Sequence, residues 1–171
     1  MTAVEMRILL ENILERLLKS ADWQKIDTDA VNLISFEVYP WHNYCALSLR
    51  QTKDTGELNP AEWELFEISR VHDEAVFASI CNWYKAGYEE KDAVYRAHRI
   101  FTAAAYALCS EKSIRLIQEK IPYAPSLCDD FFPKHFYYLV TDSDNTVGFN
   151  YCEYIHISRL DRRLGLHSDT G

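Results

Sequence analysis

Apolar residues recur over the first twenty positions at the spacing of an α-helix. Met6, Leu10, Ile13 and Leu17 stand three or four apart, and Leu9, Leu14 and Leu18 widen the stripe. Thr2 and Glu5 have the T-x-x-E spacing of a capping box, which places the helix start at the beginning of the chain. Between 31 and 51 the period changes to two. Ile34, Phe36 and Val38 alternate with Ser35 and Glu37; Cys45, Leu47 and Leu49 alternate with Ala46, Ser48 and Arg50. Two strands joined around Pro40–Asn43 read as an antiparallel hairpin.

The run KDTGELNP follows as a loop, with Asn59, Pro60 and Glu62 spaced like a short helical start. WELFEIS at 63–69 alternates well enough for a third strand. Asp73 is placed to cap a second helix carrying Val76, Phe77, Ile80, Cys81 and Tyr84 on one face, and Gly87 to end it. Val94, Ala97, Phe101, Ala104, Ala105 and Leu108 continue a helix whose small residues allow close packing. Ser110 restarts a helix that runs to Lys120, and Pro122 and Pro125 stop it. HFYYLVT at 135–141 predicts a late strand closed by the turn-forming DSDN. After 147 the pattern fits either a strand (FNYCEYIHI) or a short helix (YIHISRLDRRLG).

This order of clustered strands and segregated helices predicts an α+β fold: a mainly antiparallel sheet with helices packed on one face, in a single domain spanning 1–171. The length suits one domain, and a second core would be cramped. Acidic residues within the apolar N-terminal run make it a poor signal peptide and too interrupted to cross a bilayer. Five scattered cysteines without a CxxC pair argue against a disulfide framework and fit a reduced, cytoplasmic protein.

Charge adds one asymmetry. The chain carries a net −8, and the stretch 54–92 holds 10 acids against 3 bases. Nucleic acid and anionic membranes need clustered Lys and Arg, so both are disfavoured as partners. An acidic stretch serves solubility or steers a basic partner. Aromatic residues reach 13% of the chain, eleven of them tyrosines, enough that some must face solvent.

Chemistry-bearing clusters are sparse. Asp142, Asp144 and Thr146 open like a calcium loop, and Glu153 stands at its twelfth position, but Val147 occupies the sixth, where glycine is required. No two histidines stand at i+3 or i+4, so no helical metal clip is present and no metal or cofactor is expected. Cys128, Asp129, Asp130 and His135 hold the ingredients of a small hydrolase or transferase, although adjacent carboxylates raise a thiol's pKa rather than lower it. Arg159, Arg162 and Arg163 suit a phosphate or an intramolecular pairing with the acidic stretch. The candidate binding surface combines the hairpin connection with the acidic stretch: Trp41, His42 and Tyr44 as aromatic anchors, Glu57, Glu62, Glu64 and Glu67 as the charged surround. Against this stands the plainer reading, that the tryptophans, Trp63 above all, belong to the core.

The run ISFEVYPWHNYCALSLRQ followed by PAEWELFEIS resembles small bacterial proteins of the toxin-immunity type, with paired strands ending in an acidic, Trp-containing segment. The resemblance spans about 40 residues. It implies a cytoplasmic, non-catalytic protein that neutralises a toxin domain, and it carries no site residues across.

Overall fold

A computed structural model describes residues 1–54, 58–86, 93–125, 136–142 and 149–156. Helix α1 (Ala3–Ser20) begins where the spacing predicts: the Thr2 hydroxyl accepts from the Glu5 N–H, and the Glu5 carboxylate accepts from the Thr2 N–H. This reciprocal cap satisfies two of the helix's unpaired donors. Met6, Leu10, Ile13, Leu14, Leu17 and Leu18 form its buried face.

Strands β1 (Val31–Tyr39) and β2 (Tyr44–Gln51) make the predicted hairpin, and β3 (Leu65–His72) pairs antiparallel with β2. Three helices follow: α2 (Glu74–Ala86), α3 (Ala93–Leu108) and α4 (Glu111–Gln118). Asp73 caps α2 through the Val76 N–H, and Ser110 caps α4 through the Ser113 N–H. Strand β4 (Tyr137–Leu139) then joins the far side of β1, giving the order β3-β2-β1-β4. Residues 151–156 are helical and are labelled α5.

The α+β class is as expected, and the sheet is mixed. Its first two pairings are antiparallel, whereas β4 lies parallel to β1, with Leu33, Ile34 and Ser35 opposite Tyr137, Tyr138 and Leu139. A parallel neighbour requires a long crossover, and the helical layer between β3 and β4 supplies it.

Alternation divides the sheet. Ile34, Phe36, Val38, Cys45, Leu47, Leu49 and Val71 face the helices and join the main core with Phe77, Ile80, Ile100, Ala104, Leu108 and Ile117. Buried alanines at 103, 104, 105 and 107 let α3 pack closely against α1 and β1. The opposite face carries Leu33, Ser35, Glu37 and Tyr39 from β1, and Tyr44, Ala46, Ser48 and Arg50 from β2. Here Leu33, Trp63 and Leu139 make a second, smaller apolar cluster.

Candidate functional site

The hairpin register determines what meets what on the face turned away from the helices. Three cross-strand rows can be read from the pairing. Tyr39, Tyr44 and His72 form the row at the hairpin end; Glu37, Ala46 and Arg70 the next; Leu139, Ser35 and Ser48 the third. Side chains in such rows are direct neighbours.

The outer row is aromatic. The Tyr39 and Tyr44 rings lie 4.5 Å apart, and Tyr44 lies 5.2 Å from the His72 ring. His42, in the connection itself, is 6.3 Å from Tyr39 and 6.4 Å from Tyr44. The chain reverses over 40–43, with the His42 N–H donating to the Tyr39 carbonyl at 3.1 Å. Asn43 takes φ 56°, a left-handed geometry that asparagine tolerates better than most residues. Trp41 stands on this turn and is 41% exposed. A large indole on a turn braced by stacked rings loses little conformational freedom on binding.

Behind the aromatic row lies a buried polar line. Glu37 is only 3% exposed, and its Oε2 accepts from the Ser48 hydroxyl at 2.9 Å. Ser48 in turn accepts from the Glu67 N–H at 2.8 Å. The Glu67 carboxylate accepts from the Tyr44 hydroxyl at 2.9 Å and pairs with Arg70, whose guanidinium also sits 5.3 Å from the centre of the Tyr44 ring. Among the described residues, Glu37 Oε1 has no hydrogen-bond partner, and Ser35 lies nearby without a well-formed bond to it. Burial pushes the Glu37 carboxyl up to about 7, against smaller downward pulls from Ser48 and Ser35. Burial also raises the Tyr44 phenol; Arg70 opposes the rise and Glu37 adds to it.

The expected site residues therefore separate. Trp41 and His42 are exposed at the hairpin end, and Tyr44 is half-buried beside them. Glu62 and Glu64 are exposed: Asn59 donates to Glu62 at 2.8 Å, and Lys53 pairs with Glu64. Glu67 does not belong to the charged surround. Its side chain is 3% exposed, because a bulge opposite Ser48 turns the strand and directs the carboxylate toward Tyr44 and Arg70. Trp63 is buried, as the plainer reading had it. Glu57 lies outside the described residues, as do Cys128, Asp129, Asp130, His135, Asp144, Thr146, Val147 and the three arginines at 159, 162 and 163.

Glu37, Ser48 and Arg70 escaped sequence reasoning. The alternation marked Ser35 and Glu37 as outward-facing, and outward positions are ordinarily wet. The usable signal was the register itself: counted from the hairpin, serine faces serine at 35 and 48, beside a lone glutamate.

Burial holds the Cys45 and Cys152 thiols well above their ordinary value, so both stay protonated. No group of three His, Cys, Asp or Glu among the described residues could hold a metal ion, and no described helix is long and apolar enough to cross a membrane. A shallow concavity of about 410 Å³ over α4 is lined by Glu111, Lys112, Arg115, Leu116 and Glu119. Three of its charged residues are engaged in ion pairs, Arg115 with Glu111 and Lys112 with Glu15. No protein-family model, curated protein or solved structure matches this chain, so the hairpin end of the outer sheet face, with Trp41 at its tip, stands as the candidate site on its own geometry.

Proposed function

We propose that this protein is a non-catalytic binding protein that recognises a basic protein partner through the hairpin end of its sheet. The observation that carries this reading is the exposed Trp41 on a turn braced by Tyr39, His42 and Tyr44. Tryptophan and tyrosine dominate binding energy where they stand out on a rigid support. Glu62 and Glu64, exposed on the segment leading into β3, supply negative charge that attracts a cationic partner. The net charge of −8 points the same way. Together with the resemblance to toxin-immunity proteins, these features favour an inhibitor of a basic toxin domain, acting in the cytoplasm.

The test is capture of a basic protein partner on the immobilised full chain, followed by calorimetric titration with the purified partner. The wild type should bind it one-to-one. Trp41→Ala should weaken binding about 30-fold, as expected for a central aromatic anchor, with the far-UV circular dichroism unchanged. Unaltered affinity in a folded Trp41→Ala variant would refute the assignment.

A further inference from the structure

Glu37 and Arg70 occupy the same cross-strand row, separated only by Ala46. Two strand spacings place them about 10 Å apart along the sheet, within reach of a glutamate and an arginine leaning toward each other. Ala46 is the smallest side chain on that face, and no bulky group stands between them in the row. Among the described residues, Glu37 has a single well-formed hydrogen bond and no cation beside it, whereas Arg70 is paired with the neighbouring carboxylate, Glu67. A buried carboxyl in this state is stable only while protonated, because an ionised one demands a counter-charge or further donors.

We propose that Glu37 and Arg70 form a proton-governed exchange. While Glu37 is protonated, Arg70 pairs with Glu67 and covers Tyr44; when Glu37 releases its proton to solvent, Arg70 crosses Ala46 and pairs with Glu37 instead. Arg70 is suited to this movement because its side chain is half-exposed and crosses an alanine. When Arg70 leaves, the Glu67 carboxylate that it covered opens to water, and the Tyr44 hydroxyl still donates to it.

Several titratable and charged groups share the Glu37 face of these strands and their connection. Tyr39 shares β1, Tyr44 stands on β2, and Glu67, Arg70 and His72 stand on β3, with His42 in the turn. The Cys45 thiol lies on the opposite face of the sheet, and its proton is held more tightly by the Glu37 charge. The rise of the Glu37 carboxyl to about 7 places the exchange near neutral pH. Because Tyr44 belongs to the surface proposed above for recognition, the exchange would make partner binding depend on pH. That consequence rests on the binding reading; the exchange itself does not.

The experiment uses the isolated full chain, labelled with ¹³C and ¹⁵N and followed by NMR from pH 5 to pH 9. The Glu37 side-chain carboxyl carbon should titrate near neutrality, and the Arg70 guanidinium and Tyr44 ring signals should move with the same midpoint. Glu37→Gln should flatten the Arg70 step while leaving the His42 and His72 imidazole signals in place. Arg70→Gln should raise the Glu37 midpoint by about one pH unit, the effect of removing a cation that stabilises the charged form. The proposal is overturned if Arg70 and Tyr44 stay flat while Glu37 titrates, if Arg70→Gln leaves the midpoint unmoved, or if Glu37 titrates in the ordinary carboxylate range. Should Glu37→Gln fail to fold, the wild-type titration and Arg70→Gln still decide the matter.

Discussion

The Glu67 N–H donates to the Ser48 hydroxyl at 2.8 Å from a residue held at φ 47°. That bond marks where the β2–β3 ladder breaks: Leu47 pairs with Ser69, Leu49 pairs with Leu65, and the residues between bulge outward. A left-handed backbone costs a non-glycine residue roughly 1 kcal/mol, which the bonds from Tyr44 and Arg70 to the Glu67 carboxylate offset. Glu67→Gly removes both the carboxylate and the strain; Glu67→Ala removes only the carboxylate. We expect the glycine variant to be the more stable of the two by about 1 kcal/mol, read from urea unfolding midpoints at equal slope. An alanine variant that matched it would show that the bulge relaxes without cost.

Glu37 makes stability depend on pH in a definite direction. Its folded value, about 7, lies above the ordinary 4.5, so the folded state holds the proton more tightly than the unfolded chain does. The resulting stabilisation is fully present below about pH 4.5 and is lost as pH rises to about 7. Over that interval the wild type should lose about 3 kcal/mol relative to Glu37→Gln, which has no proton to release. Chemical denaturation of both proteins at pH 5 and pH 8 measures the difference, and parallel stability profiles would exclude the linkage.

How much of this was legible in the sequence depends on whether the deciding contact is local. The α1 cap at Thr2 and Glu5, the hairpin around 40–43 and the α2 and α4 starts at Asp73 and Ser110 are settled by residues a few positions apart, and all are as expected. The direction of β4 is different. Tyr137–Leu139 reads as a strand whichever way it runs, and only docking on β1 across the helical layer makes it parallel. The same holds for the site. Trp41 was legible because a tryptophan in a tight connection has few places to hide. The inward turn of Glu67 was not, because it follows from an irregular register between β2 and β3 rather than from any residue near it in the chain.

The region after 147 was open between strand and helix, and Asn150 shows what decides it. Its buried amide donates to the Tyr138 carbonyl at 2.9 Å, while its Oδ1 accepts from the Cys152 N–H at 3.0 Å and the Val140 N–H at 3.4 Å. One side chain thus caps α5 and fastens it to β4. Asn150→Ala leaves these groups unpaired and should cost about 2 kcal/mol. Asn150→Asp keeps the acceptor but turns a carboxylate oxygen toward the Tyr138 carbonyl. It should be similarly destabilised at neutral pH and recover as acid restores a proton to donate. Thermal unfolding of both variants at two pH values tests this, and a wild-type melting temperature for Asn150→Ala would remove Asn150 from the role.

Glu62 and Glu64 are both exposed, yet reversing their charges should not have equal effects. Lys53 pairs with Glu64 and cancels part of its field, whereas Glu62 is held by the uncharged amide of Asn59. Rim charges of this kind act mainly on the approach of a partner rather than on the assembled contact. Glu62→Lys should therefore slow association with a basic partner by about threefold to tenfold at low salt, with little change in dissociation. Glu64→Lys should slow it less and also cost some stability, since it sets a second cation beside Lys53. Raising the salt to about 0.5 M shortens the screening length enough to erase the differences between the variants and the wild type. Stopped-flow association rates across a salt series separate these outcomes. If Glu62→Lys associates as fast as the wild type at every salt concentration, this part of the acidic stretch serves solubility, and recognition belongs to the aromatic turn alone.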